Sequence, residues 1–388
     1  MKILFVSHDA NRAGAQLFLL NIMRYFQKKK VSVHLLLLDG GVLEKDFEQI
    51  SHLYHYPKDT HHAPETLRKR WLGKIGMKQA TYYQKNKVDL KNKLANEHFD
   101  IIYANTIASA PVIPELLSIL NAPLITHIHE LEFSIQLYSE QSDRITLFQK
   151  SACIIACSMA VADNLIKNHG VDSHQVKIIH SFVDNDAVLQ RSAQVNKQAI
   201  RKQYNIPEGS FLIGGCGNAE WRKGIDVFVS LAKRLITANA AEIHFVWVGI
   251  RKSGEYYEQI AFDVDRMGIG EHITFIEPTP EAIELINCFD VFTVVSREDP
   301  FPLVMLEAAL AERTIFGFEK TGGCSEFIEQ DAGKLFDYLD IENMALAILA
   351  LKDTPNHILG KRAKEKVLQQ YSFENSIVKI EKLFENLA

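Results

Sequence analysis

The stretch Ser296-Arg297-Glu298-Asp299-Pro300-Phe301-Pro302-Leu303-Val304-Met305-Leu306-Glu307-Ala308-Ala309 follows the apolar run Val291–Val295 and sets two carboxylates eight positions apart across the start of a helical pattern. Asp299 is a good N-cap residue and Pro302 suits the first helical turn, so a helix is predicted over Leu303–Leu310, with free backbone N–H groups that attract phosphate. At ~100° per residue Glu307 points within about 80° of the direction of Asp299, so both acids can line one side of a pocket. A ligand with hydroxyls flanking a phosphate suits that spacing. The alternative is an acidic cap and an unrelated surface glutamate.

Outward from this stretch the same step, an apolar run and then a helix, recurs along the chain. Lys2–Ser7, Ser32–Leu38, Ile101–Ala104, Pro123–His127, Cys153–Cys157 and Val176–Ile179 read as buried strands of a first half. After Gln203–Gly209 the rhythm restarts with Phe211–Gly215, Ile243–Val248, Ile273–Phe275, Val291–Val295 and Thr314–Phe318. Such alternation predicts an α/β fold with two doubly wound parallel sheets. The polar stretch from Asp184 to Glu208 places the boundary, giving domains 1–184 and 185–371 and leaving an amphipathic helix at 372–388.

The 388 residues suffice for two or three domains with full cores, and 47% hydrophobic against 23% charged residues is ordinary for a soluble globular protein. A net charge of -5 argues against a dedicated nucleic-acid binder. The N-terminal apolar run Ile3–Val6 is too brief for a signal-peptide core or a membrane span, which predicts a cytoplasmic protein. Five cysteines, at 153, 157, 216, 288 and 324, form no CxxC pair or metal-finger spacing, so free and mostly buried thiols are expected.

Several turns favour anions. Ser7–Gln16 leads from the first strand into a helix over Leu17–Phe26 and brings Gly14 where backbone can approach a phosphate. Gly214–Asp226 places Arg222 and Lys223 beside Gly224 as a helix begins. Cations there oppose the helix dipole unless an anion lies near, and a diphosphate would supply one. A solvated basic turn is the competing reading. Thr321–Glu326 offers the N–H groups of Gly322 and Gly323, with Glu326 bracing the turn.

In the first half, Thr126-His127-Ile128-His129-Glu130 ends a strand with both histidines on one face, without a third metal ligand at a useful spacing. Asn105 reads as a turn former more readily than as a pocket residue. Arg68–Lys78 is basic with interleaved Trp71, Leu72, Ile75 and Met77, which fits either a helix on an anionic membrane surface or a solvated helix over the core.

Taken in order, these motifs resemble the retaining nucleotide-sugar glycosyltransferases of family 4. Ser296–Ala309 is similar to their E-x7-E segment, Arg222-Lys223-Gly224 to their Lys-Gly segment, and Gly322–Glu326 to their Gly-Gly-x-x-Glu turn. Ala13 stands for the first glycine of the N-terminal turn, Asn218 for an arginine, Asp299 for the first glutamate and Pro302 for a glycine. The resemblance implies a GT-B fold, two Rossmann-like domains facing a cleft, with the terminal helix 372–388 packed back on the first. It implies transfer, with retention and without a metal or other cofactor, of a sugar from a nucleotide-diphosphate donor to a saccharide or lipid-linked saccharide acceptor, in cell-surface polysaccharide or glycolipid synthesis. Catalytic roles fall to His129, Arg222, Lys223 and Asp299. Donor binding falls to Gly14, Arg222, Lys223, Glu298, Asp299, Phe301, Pro302, Leu303, Glu307, Gly322 and Gly323, with Glu307 on the ribose. A nucleotide-sugar epimerase of the same architecture and a catalytically silent homologue remain alternatives, as does a two-domain small-molecule binder, which would normally be exported. Contact with an anionic membrane through Arg68–Lys78 is a further expectation, and nucleic acid is not an expected partner.

Overall fold

Ile3, Leu4, Phe5 and Val6 lose all contact with solvent, as do Ile101–Ala104 beside them, because strands of a parallel sheet are covered on both faces. The computed structural model in which they lie describes residues 1–58, 77–238 and 242–388. The chain divides into a first unit of Met1–Ala156, Ala162–Ile179 and Lys379–Ala388, and a second of Cys157–Val161 and His180–Val378. The basic segment Arg68–Lys78 lies outside the described residues, save the backbone of its last two positions.

Among the described residues the first unit holds β1 (Lys2–Ser7), β2 (Ser32–Leu37), β3 (His52–His55), β4 (Ile101–Asn105), β5 (Leu124–Ile128), β6 (Ser151–Ala156) and β7 (Val176–Ile178). They pair in parallel in the order β3-β2-β1-β4-β5-β6-β7. Helix Gly14–Lys28 buries Phe18, Leu19, Ile22, Met23 and Phe26 along one face, the spacing of an amphipathic helix on a sheet. Phe26 stacks on Phe384 at 4.9 Å between ring centres, and Tyr25 Oη donates to Glu381 Oε2 at 2.8 Å, which fastens the end of helix Phe373–Leu387 into this unit.

The second unit holds β8 (Phe211–Cys216), β9 (Ile243–Val248), β10 (Ile273–Ile276), β11 (Val291–Val294), β12 (Thr314–Phe318) and β13 (Lys334–Phe336). They too pair in parallel, in the order β10-β9-β8-β11-β12-β13. Its core joins Phe228, Phe245 and Trp247, whose rings meet edge to face at 5.3 and 5.2 Å. In each unit the order reverses direction next to the first strand, between β1 and β4 and between β8 and β11. A ligand crevice forms at such a switch point, beyond the carboxyl ends of the strands.

β3 and β13 escape the sequence reading. They are edge strands of four and three residues with charged or polar members, too short to show a pattern against their loops. The five cysteines are free, four of them buried and Cys216 partly exposed. No helix among the described residues is long and apolar enough to cross a membrane.

Candidate active site

β8 ends at Cys216 and β11 at Val294, so the loops leaving them meet at the switch point of the second unit. The loop after β8 tightens into a short 3₁₀ turn over Trp221–Lys223 and then enters helix Ile225–Thr237 through Gly224. Gly224 has φ +72, and a β-carbon there would fall 2.1 Å from the carbonyl oxygen of Val295, so only glycine lets the loops close. Arg222 O accepts from the N–H groups of Arg297 and Glu298, at 2.7 and 3.2 Å.

Lys223 is thereby aimed at the other loop: its Nζ donates to Asp299 Oδ2 at 2.5 Å, and Ser296 Oγ lies 3.4 Å from the same oxygen. Arg222 pairs with Glu220 at 2.7 Å. The adjacent cations therefore have carboxylates of the protein itself as the anions near them. Lys223, Asp299, Ser296, Pro302, Cys216 and Trp247 line a small crevice at this edge. A wider, open concavity lined by Lys197, Arg201, Glu208, Asp290 and Lys352 lies at the opposite edge, where β8 begins, away from the motif residues.

Asp299 does not cap the helix. Pro302 occupies the N-cap position in extended conformation, with no side-chain cap, and the helix runs Leu303–Leu310. The prolines at 300 and 302 each push the preceding residue out of the helical region, so Asp299 is held extended. Its backbone bridges to Gly322: Asp299 N–H donates to Thr321 O at 2.7 Å, and Gly323 N–H donates to Asp299 O at 3.1 Å. Gly323 thus spends its N–H inside the protein, against expectation. A β-carbon at Gly323 would lie 2.4 Å from the Phe301 ring. Phe301, expected at the donor, is buried against His180 and Tyr371 at 5.3 and 5.4 Å. Glu326 does not brace its own turn either; it accepts from Met159 N–H at 2.8 Å and His180 Nε2 at 2.5 Å.

Glu307 sits on the helix with its side chain partly exposed. Among the described residues its carboxylate makes no hydrogen bond or ion pair, and burial pushes its pKa up to about 7 against the weaker pull of Arg191. Burial also pushes the Cys216 thiol up to about 12, with Glu307 adding and Lys223 opposing, which places both charges near the end of β8.

At the switch point of the first unit, Asn105 closes β4 and is fully buried. Its Nδ2 donates to Ala15 O at 3.2 Å and its Oδ1 lies 3.2 Å from His129 Nε2, so it fixes the start of helix Gly14–Lys28 and the histidine together rather than forming a turn. Gly14 is the first residue of that helix, which follows Ala13 without a side-chain cap. His127 and His129 stack at 4.0 Å. Burial, with His8 nearby, drives His129 down to about 3, so it is neutral at physiological pH. His8 Nδ1 lies 2.8 Å from Thr106 Oγ1, and Thr106 holds φ +74, a strained backbone for a β-branched residue. Sequence reasoning missed His8, Thr106 and Arg297, whose partners are distant in sequence. Among the described residues no group of three or more His, Cys, Asp or Glu is placed to hold a metal ion.

Two parallel-sheet units, each with a topological switch point and the second with a largely buried lysine in a crevice there, define a Rossmann-like pair of the GT-B type. The chain belongs to the group 1 glycosyltransferases: the family described as Glycosyl transferases group 1 matches residues 196–366, and Glycosyltransferase Family 4 matches residues 12–187. The O-antigen biosynthesis glycosyltransferase WclY of Escherichia coli is 26% identical over 227 residues, 57% of this chain and 60% of that protein. The N-acetyl-alpha-D-glucosaminyl L-malate synthase of Bacillus anthracis is 24% identical over 212 residues, 54% of this chain and 53% of that protein. The matches thus span little more than half the length of these relatives. The crystal structure of Anabaena HepE in complex with UDP shares the fold across 100% of both chains, with a TM-score of 0.79 at 20% identity.

Proposed function

We propose that this protein transfers a glycosyl group from a nucleoside-diphosphate sugar to a hydroxyl of a saccharide or lipid-linked saccharide, with retention at the anomeric carbon and without a metal. The observation that carries this reading is Lys223, an ammonium brought by β8 to the switch point of the second unit beside the N-terminus of helix Leu303–Leu310. When the sugar departs, negative charge grows on the diphosphate. A fixed ammonium and oriented N–H groups stabilise that charge more than they stabilise the bound donor, which is what lowers a barrier.

Arg222 adds a second cation after exchanging Glu220 for phosphate, and the start of helix Leu303–Leu310, with its free N–H groups, lies at the same crevice. Glu307, with no protein partner for its carboxylate among the described residues, accepts from the ribose hydroxyls. His129 belongs to acceptor and sugar recognition in the first unit, where it acts as a neutral hydrogen-bonding group. HepE with UDP and WclY in O-antigen biosynthesis lend support as relatives. A cytoplasmic enzyme working on cell-surface polysaccharide or glycolipid fits those likenesses.

Thermal melting of the full chain with UDP-, GDP-, ADP- and dTDP-sugars tests the reading. One donor raises the melting midpoint and, with saccharide acceptors present, is consumed with release of the nucleoside diphosphate in excess EDTA. Conversion to an epimeric sugar nucleotide, or binding without turnover, would reject transferase activity.

A further inference from the structure

Asp299 is 6% exposed and Lys223 14%, and their charged atoms meet at 2.5 Å. The Asp299 carboxylate is not a swinging arm. Its backbone is pinned on both sides by Thr321 O and Gly323 N–H, and Ser296 Oγ approaches the same oxygen that takes the lysine. Aspartate is one methylene shorter than glutamate, so with this backbone the carboxylate reaches Lys223 and has little length left for another ligand.

We infer that Asp299 is the internal counter-anion of Lys223, a positioning residue that holds the ammonium where the donor diphosphate is received, and is not a ligand of the donor sugar. The inference rests on the donor-site reading above. A buried ammonium without a partner is strongly unfavourable, so between turnovers Asp299 keeps Lys223 charged-paired and in place. Once a diphosphate arrives, it competes with Asp299 for the same ammonium and is repelled by the carboxylate beside it. Asp299 therefore loosens the hold on diphosphate while keeping its main cation ordered, which favours release of the nucleoside diphosphate after transfer.

Calorimetric titration of the full chain with UDP, GDP and ADP, and with their glucose conjugates, separates the two roles of this residue. For the nucleotide that the wild type binds, Asp299→Asn tightens binding by about tenfold, and by the same factor with and without the glucosyl group. Asp299→Glu, which restores the anion, returns affinity towards wild type. In a Lys223→Met background Asp299→Asn tightens binding by a clearly smaller factor, since the competition for the ammonium is gone and only the repulsion remains. Asp299→Ser, also neutral, gives the same reading if the asparagine variant does not fold. The inference is overturned if Asp299→Asn leaves the bare nucleotide unaffected and removes only the extra affinity of the glucose conjugate, because that is how a sugar ligand behaves. It is equally overturned if the change persists undiminished in the Lys223→Met background. Failure of the wild type to bind any of the nucleotides is a separate result, and rejects the donor-site reading itself.

Discussion

Arg297 grips Asp226 with both prongs of its guanidinium, at 2.8 and 2.6 Å, and so locks the loop after β11 to the helix that follows β8. The same guanidinium donates to Trp221 O at 2.9 Å and lies over the Trp221 ring at 5.2 Å. A planar fork is required for this arrangement, which lysine does not supply. Arg297→Ala is expected to cost about 1–3 kcal/mol, read as a drop of several degrees in melting midpoint. Arg297→Lys should recover only part of it, whereas full recovery would mean that a point charge suffices.

Lys223 and Arg222 differ in setting, and their variants should differ too. Lys223 is mostly buried at the crevice, while Arg222 is tied to Glu220 on a more open face. Lys223→Ala should lower kcat by roughly 10²–10³-fold, and Arg222→Ala by about tenfold. Steady-state kinetics with saturating donor measures both.

Glu307 makes nucleotide binding depend on pH. Its folded-state pKa of about 7 is raised above the ordinary 4.5 by burial, and its ionised form is the better acceptor for ribose hydroxyls. Nucleotide affinity should therefore rise from pH 6 to pH 8, and Glu307→Gln should flatten that profile. Stability moves the other way. Between 4.5 and about 7 the folded chain keeps a proton that the unfolded chain releases, so this group's contribution is complete below 4.5 and lost as pH rises through 7. At pH 8 Glu307→Gln should stabilise the ligand-free protein, by about 1–3 kcal/mol after allowance for partial exposure. A melting curve that is unchanged at pH 8 would contradict this.

Gly224→Ala meets two obstacles at once, a positive φ and a carbonyl oxygen 2.1 Å from the new methyl group. Loss of roughly 2–4 kcal/mol is expected, since the loop must move to accept it. Gly209→Ala is the control: it has φ +78 but nothing within 4 Å, so its loss should be the smaller backbone cost alone.

The β/α rhythm was legible because parallel strands buried on both faces read as continuous apolar runs, as at Lys2–Ser7 and Ile243–Val248. Polar edges such as His52–His55 carry no such signal. Helix Leu303–Leu310 was legible from its composition, while its cap was not: Asp299 has the chemistry of an N-cap, but Pro300 and Pro302 dictate the backbone and Lys223, far back in sequence, takes the carboxylate. Glycine motifs showed where backbone approaches closely, yet not which N–H remains available, since Gly323 donates to Asp299 O and Pro300 O. Arg297 illustrates the general limit, because its partner Asp226 lies 71 positions away and nothing local marks the pair.

Proton NMR of the reaction product, formed from the donor that stabilises the wild type and a matched saccharide acceptor, reads both the transfer and its stereochemistry. The expected product carries a new glycosidic linkage whose anomeric configuration equals that of the donor sugar, with one nucleoside diphosphate released per linkage and almost none formed by Lys223→Ala. An inverted linkage would contradict retention, and product formation by Lys223→Ala at the wild-type rate would contradict the site.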